Sequence, residues 1–107
     1  MTTRFTLALL FALSLASCRS AKPHSVELNW TPPVQAPSYY QVYRSTQSGV
    51  FDVNTPYAVR VDGSRFNDTN VTAGTTYYYR VVSVIESNQG IQRSPYSEEV
   101  SAIVPKD

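Results

Sequence analysis

Gly74-Thr75-Thr76-Tyr77-Tyr78-Tyr79-Arg80-Val81-Val82-Ser83-Val84-Ile85 is the stretch on which the fold turns. Read with a period of two from Thr76, it places Tyr77, Tyr79 and Val81 on one face and Tyr78, Arg80 and Val82 on the other. Aromatic and β-branched side chains suit a pleated, half-buried surface, so these residues predict a strand with one face turned to a core.

Moving outward from that strand, the same alternation recurs in shorter pieces. Val26-Glu27-Leu28-Asn29-Trp30 alternates apolar with polar, points Trp30 inward, and is stopped by Thr31-Pro32-Pro33. Tyr39 to Arg44 sets Tyr40 and Val42 against Gln41 and Tyr43 on the opposite face, and Gly49 closes that unit. Ala58 to Val61 is followed by a turn at Asp62-Gly63, a short strand carrying Phe66, and a loop from Asp68 to Gly74. Beyond the long strand, Asn88-Gln89-Gly90 marks a turn, and Val100, Ala102 and Val104 form a last alternating strand before Pro105. About seven short strands with regular turn signals predict an all-β sandwich of antiparallel strands.

Taken in order, these pieces resemble the fibronectin type III domain over residues 24–105, with 106–107 as a short tail. The resemblance rests on His24-Ser25-Val26-x-Leu28-x-Trp30-Thr31 for strand B and Tyr40-x-Val42-Tyr43-Arg44-Ser45-Thr46 for strand C. Phe66-x-Asp68-Thr69 falls near strand E, Gly74 to Val81 leads through strand F, and Ser94-Pro95-Tyr96-Ser97-x-Glu99-Val100 runs into strand G. The wording looks like the bacterial branch of the family, found in envelope proteins and as accessory modules of carbohydrate-active enzymes. It implies that Tyr77 is the tyrosine-corner residue, its hydroxyl bonded to backbone a few residues upstream, and that Trp30 is the core tryptophan. In two respects the chain departs from the pattern: it reads as a single module with no enzyme attached, and little sequence before Val26 is left for strand A, so one sheet edge is expected to be short or uncovered.

That shortage follows from how the N-terminus reads. Arg4 is followed by an apolar stretch from Phe5 to Leu15, interrupted by Thr6 and Ser14, and then by small residues, the layout of a secretory signal. Arg4 and Arg19 bracket 14 residues, short of the roughly 20 that a spanning helix needs. Leu15-Ala16-Ser17-Cys18 resembles the lipobox of bacterial lipoproteins, which implies removal of residues 1–17 and acylation of Cys18 as the new N-terminus. Residues 18–23 then form a polar tether, about 20 Å long when extended, between membrane and domain. The alternative is ordinary cleavage after Ala16, releasing a secreted soluble protein. Cys18 is the sole cysteine, so an intramolecular disulfide is excluded and a sulfur-based metal site has no support.

Composition narrows function further. Beyond residue 17 the chain holds eight Lys/Arg against eight Asp/Glu, which gives no net field to recruit nucleic acid. Catalysis has little inventory: His24 is the single histidine and sits where tether meets domain. Glu98 and Glu99 are adjacent, so on a strand they would face opposite ways. Asp52, Asp62 and Asp68 lack the dense spacing of a calcium loop, and Asp68 is expected to satisfy turn backbone. No metal, cofactor or enzymatic activity is expected.

Binding candidates come from strand parity. Tyr43 and Tyr78 should project from the outer face of the C-F-G sheet beside Gln41, Arg80 and Val82, a set suited to a protein interface or to stacking on sugar rings. The plainer account is that cross-strand aromatic pairs stabilise a small sandwich. The expected protein is thus a non-enzymatic, lipid-anchored module of a bacterial cell envelope, held at the membrane through Cys18 and acting as a spacer or meeting an envelope protein or glycan. The alternative is a secreted carbohydrate-binding accessory module using Tyr43 and Tyr78.

Overall fold

The computed structural model describes residues 24–106 and the backbone of a two-residue strand at 11–12. The expected signal segment, the lipidation site Cys18 and the tether otherwise lie outside the described residues. Among the described residues eight strands follow in order: β1 (Phe11–Ala12), β2 (Val26–Asn29), β3 (Tyr39–Ser45), β4 (Ala58–Val61), β5 (Arg65–Asp68), β6 (Thr76–Ser87), β7 (Gly90–Arg93) and β8 (Val100–Ile103). They form two sheets, one ordered β1-β2-β5, the other β4-β3-β6-β7 with β8 also on β6, and every pairing is antiparallel. Because β7 and β8 both run against β6, they are two halves of one last strand, and the sandwich has seven strands in the sense expected.

Each apolar row of the sequence lands between the sheets. Val26, Leu28 and Trp30 meet Tyr40, Val42, Tyr77, Tyr79, Val81, Ala102 and Val104 in one buried cluster. At its centre Trp30 and Tyr40 pack edge to face, their ring centroids 5.2 Å apart at 69°. Tyr77 does what the corner residue requires. Its hydroxyl accepts the Thr72 N–H at 2.9 Å, pinning the loop between β5 and β6 to the base of the long strand. Gly74, in the same loop, has φ +83°, a conformation in which a side chain is strained, and its N–H reaches the Val104 carbonyl at 2.8 Å.

Two features differ from the reading of the sequence. The strand-A position is occupied by Phe11–Ala12, with Phe11 opposite Leu28 and Ala12 opposite Glu27. A short apolar run serves a signal or a strand equally well, and periodicity alone does not separate them. The final strand also begins earlier than Val100, since Gly90–Arg93 already pairs with the end of β6, from Ser87↔Gly90 to Val84↔Arg93. The segment 94–99 between the halves bulges out of the sheet, and that bulge shapes the outer face.

Candidate functional site

The outer face of the larger sheet carries the residues singled out for binding. Parity is as expected: Gln41 and Tyr43 of β3 stand beside Arg80 and Val82 of β6, with Gln41 opposite Val82 and Tyr43 opposite Arg80. Exposure is not. Gln41, Tyr43 and Val82 are buried, Tyr43 to 1 %. The link between β3 and β4 brings Phe51 over the sheet, and the bulge between β7 and β8 brings Tyr96, so that both pack on a second apolar cluster of Tyr43, Val82 and Val84. Tyr43 and Tyr96 meet edge to face at 5.2 Å, and Phe51 lies 5.9 Å from Tyr96. The Tyr43 hydroxyl donates to the Val53 carbonyl at 2.9 Å, and Gln41 Nε2 donates to the Val59 carbonyl at 3.2 Å. Tyr43 is therefore an internal anchor and cannot stack on a sugar, which removes it from the stacking platform. Parity tells which way a side chain points, and a covering loop decides whether solvent reaches it.

Arg80 and Tyr78 remain half-buried. Arg80 donates to the Ser97 carbonyl at 2.8 Å and lies 3.8 Å from Glu99, while its guanidinium sits over Phe51 and Tyr96. Glu99 in turn accepts the Ser48 hydroxyl at 2.6 Å and the Gly49 N–H at 2.7 Å, clasping the two covering segments together. The Ser48 hydrogen bond is the main reason its pKa falls below the ordinary carboxylate value, and the Gly49 N–H and Arg80 lower it further against a cost of burial. Tyr78, between the small residues Ser45 and Ser101 of its neighbouring strands, is the aromatic of the expected set that stays accessible.

A polar cluster missed in the sequence lies where β2 begins and β3 and β5 end. Asp68, 1 % exposed, accepts the Tyr79 hydroxyl at 2.6 Å, the Tyr57 hydroxyl at 2.8 Å, the Arg44 guanidinium at 2.9 Å and the Asn70 N–H at 3.1 Å. The bond to Asn70 is the turn role expected of Asp68. Burial alone would raise its pKa, but the bonds from Tyr79, Tyr57, Asn70 and Arg44 outweigh that and hold it below the ordinary value. Tyr79 moves the other way, pushed up by burial and then by the adjacent carboxylate. Arg44 lies over the rings of Tyr57 and Tyr77 at 3.9 and 4.6 Å. The signal was present in the sequence: Arg44 has the inward parity of Tyr40 and Val42, and an inward arginine calls for a carboxylate.

The opposite end is built from loops. The stretch 31–38 runs from Trp30 to β3 and leaves Val34 fully exposed, and Ile91 of the β6–β7 hairpin is also largely exposed. Between them lies an open cleft of about 220 Å³ whose lining includes Pro33, Gln35, Ser83, Ile85, Gln92 and Ser94. His24 is buried, which denies it the mobility a catalytic base at that position would need. Among the described residues no three His, Cys, Asp or Glu gather as a metal site, and no helix is long and apolar enough to cross a membrane.

Two antiparallel sheets, a tyrosine corner at Tyr77 and a core tryptophan at Trp30 define an immunoglobulin-like β-sandwich. The family model of the fibronectin type III domain matches residues 12–102, and the chain belongs to that family. Among solved structures it is similar to an Fn3-like protein from Clostridium thermocellum, at 30 % identity and TM-score 0.70, over 97 % of this chain and 95 % of that one. It also resembles part of a beta-1,2-glucanase from Parabacteroides distasonis, at 23 % identity and TM-score 0.63, over 96 % of this chain but only 14 % of the enzyme. An FN3 domain of human collagen XX matches at 20 % identity and TM-score 0.58, over 95 % of both chains. No curated protein matches the chain.

Proposed function

We propose that this fibronectin type III domain is a non-enzymatic interaction or spacer module of a bacterial cell envelope, attached to the membrane through acylated Cys18. The observation that carries the attachment is the sequence Leu15-Ala16-Ser17-Cys18 at the end of an apolar run, with the single thiol of the chain in the acylated position. Several acyl chains hold a domain of this size on a bilayer, whereas one holds it only marginally. The bacterial Fn3-like neighbour, matched over nearly its whole length, is in keeping with such a module.

The course of β2 supports a polarity for the module. Val26 pairs with Asp68, so the tether reaches the domain at the end closed by the Asp68 cluster. The loop end, with Val34, Ile91 and the cleft between them, lies at the opposite end of the domain from Val26, and its exposed apolar side chains support it as the surface for an envelope partner. With Tyr43 sealed, recognition by paired tyrosines on the outer sheet is set aside.

Membrane fractionation of the protein expressed in bacteria tests the attachment. Wild type is expected in the membrane fraction and to incorporate labelled fatty acid, and Cys18→Ala is expected to lose both. A Cys18→Ala chain that stays as firmly in the membrane, unlabelled, contradicts the reading.

A further inference from the structure

Among the described residues, β2 is flanked on one side by the four residues of β5 and on the other by Phe11–Ala12. Trp30 donates its N–H to the Ser64 carbonyl at 3.1 Å, on the β5 side. Backbone groups alternate sides along a strand, so Val26 and Leu28 also bond toward β5, while the N–H and C=O groups of Glu27 and Asn29 point to the opposite edge. Phe11–Ala12 lies within the segment that the proposed processing removes. Processing then takes away the strand that the backbone groups of Glu27 face, and an edge strand without its neighbour templates pairing with another chain.

We infer that two copies of the processed protein pair through this edge, β2 against β2, antiparallel about Leu28. The sequence is self-complementary in that register. Leu28 stands opposite Leu28, and Glu27 stands opposite Asn29 twice over. Glu27 and Asn29 are the residues whose backbone groups face the edge, so each such pair exchanges two backbone hydrogen bonds. On the outer face the Glu27 carboxylate meets the Asn29 carboxamide, and no like charges confront each other. On the inner face Leu28 continues the buried cluster from one copy into the next. The register is the one the chain already uses, since Phe11 sits opposite Leu28 and Ala12 opposite Glu27. Antiparallel pairing turns the two copies head to tail, with the two Val26 residues about 14 Å apart, so the pair lies along the bilayer for both tethers to reach it, and confinement there raises the effective concentration of each copy for the other. This pairing rests on the proposed removal of residues 1–17.

The test uses the full-length gene expressed in bacteria. Glu27→Cys with Asn29→Cys in one chain places thiols opposite each other only across the proposed pair. Mild oxidation of membranes is expected to give a disulfide-linked species of twice the monomer mass, and Ser101→Cys on β8 is expected to give none. In detergent extracts, Asn29→Glu is expected to weaken the dimer and Asn29→Lys to tighten it, each by up to about tenfold, because the substituted residue faces Glu27. A monomer under oxidation, a linked product of another mass, or equal response to the Glu and Lys variants overturns the inference. The intact mass of the extracted protein separates the two failures. A chain still beginning at Met1 sinks the processing on which the pairing rests, and a monomer beginning at Cys18 sinks the pairing alone.

Discussion

The two ends of this sandwich are built on different principles. Where β2 begins, one buried carboxylate gathers two tyrosine hydroxyls, a guanidinium and a backbone N–H, and a third tyrosine hydroxyl ties down the loop above it. At the other end the loops are fastened at their feet, for instance by Ser38 N–H to the Val84 carbonyl and Glu86 N–H to Ser38 Oγ, while the tip at Val34 stands clear of the domain. The difference teaches where this small, disulfide-free fold places its directional bonds. They close the end that receives the chain from the N-terminus and leave the far end free to vary.

That contrast can be broken most severely at Asp68. Asp68→Ala leaves the partly buried Arg44 without its carboxylate and two tyrosine hydroxyls without an acceptor, and urea unfolding should show a loss of about 3–5 kcal/mol. Tyr43→Ala should cost a similar amount, on the order of 3–5 kcal/mol, by emptying the second cluster, whereas Tyr78→Ala on the same face should cost clearly less. Equal losses at the two tyrosines would mean that the covering segments do not seal Tyr43.

Acid should act on the closed end. The folded pKa of Asp68 is depressed, so its contribution is complete above its unfolded value of about 3.9 and is lost as pH falls through the folded value. Glu99 adds to the same slope. Thermal midpoints should hold at mildly acidic pH and then fall, and Asp68→Asn should flatten that fall while lowering the plateau. At the alkaline side the sign reverses: Tyr79 is raised, so stability declines once pH exceeds the unfolded tyrosine value of about 10. Tyr77→Phe should cost about 0.5–1.5 kcal/mol, the net worth of one hydrogen bond, because Thr72 is exposed and water can take the place of the hydroxyl. The smallest effect is expected at the open end, where Val34→Ser should change stability by no more than about 0.5 kcal/mol.

Strand parity was the most legible feature of the sequence. It located the buried row of Val26, Leu28, Trp30, Tyr40, Val42, Tyr77, Tyr79 and Val81 and the outward row of Gln41, Tyr43, Tyr78, Arg80 and Val82. What parity cannot carry is the path of a loop. Phe51 and Tyr96 sit in segments without alternation, and only the three-dimensional course of those segments turns the outward row into a second core. The Asp68 cluster escaped for a related reason, because Arg44, Asp68 and Tyr79 sit on three different strands and Tyr57 in the link before β4, and only the fold brings them together. Phe11–Ala12 shows a third limit, since an apolar run holds signal and strand readings in the same residues.

Those two readings of the N-terminus meet in a single quantity, the intact mass of the protein extracted from bacterial membranes. A lipid-anchored module predicts a chain that begins at Cys18 and carries fatty acyl mass. A chain beginning at Met1, or one cut after Ala16 and recovered unacylated from the soluble fraction, would contradict it.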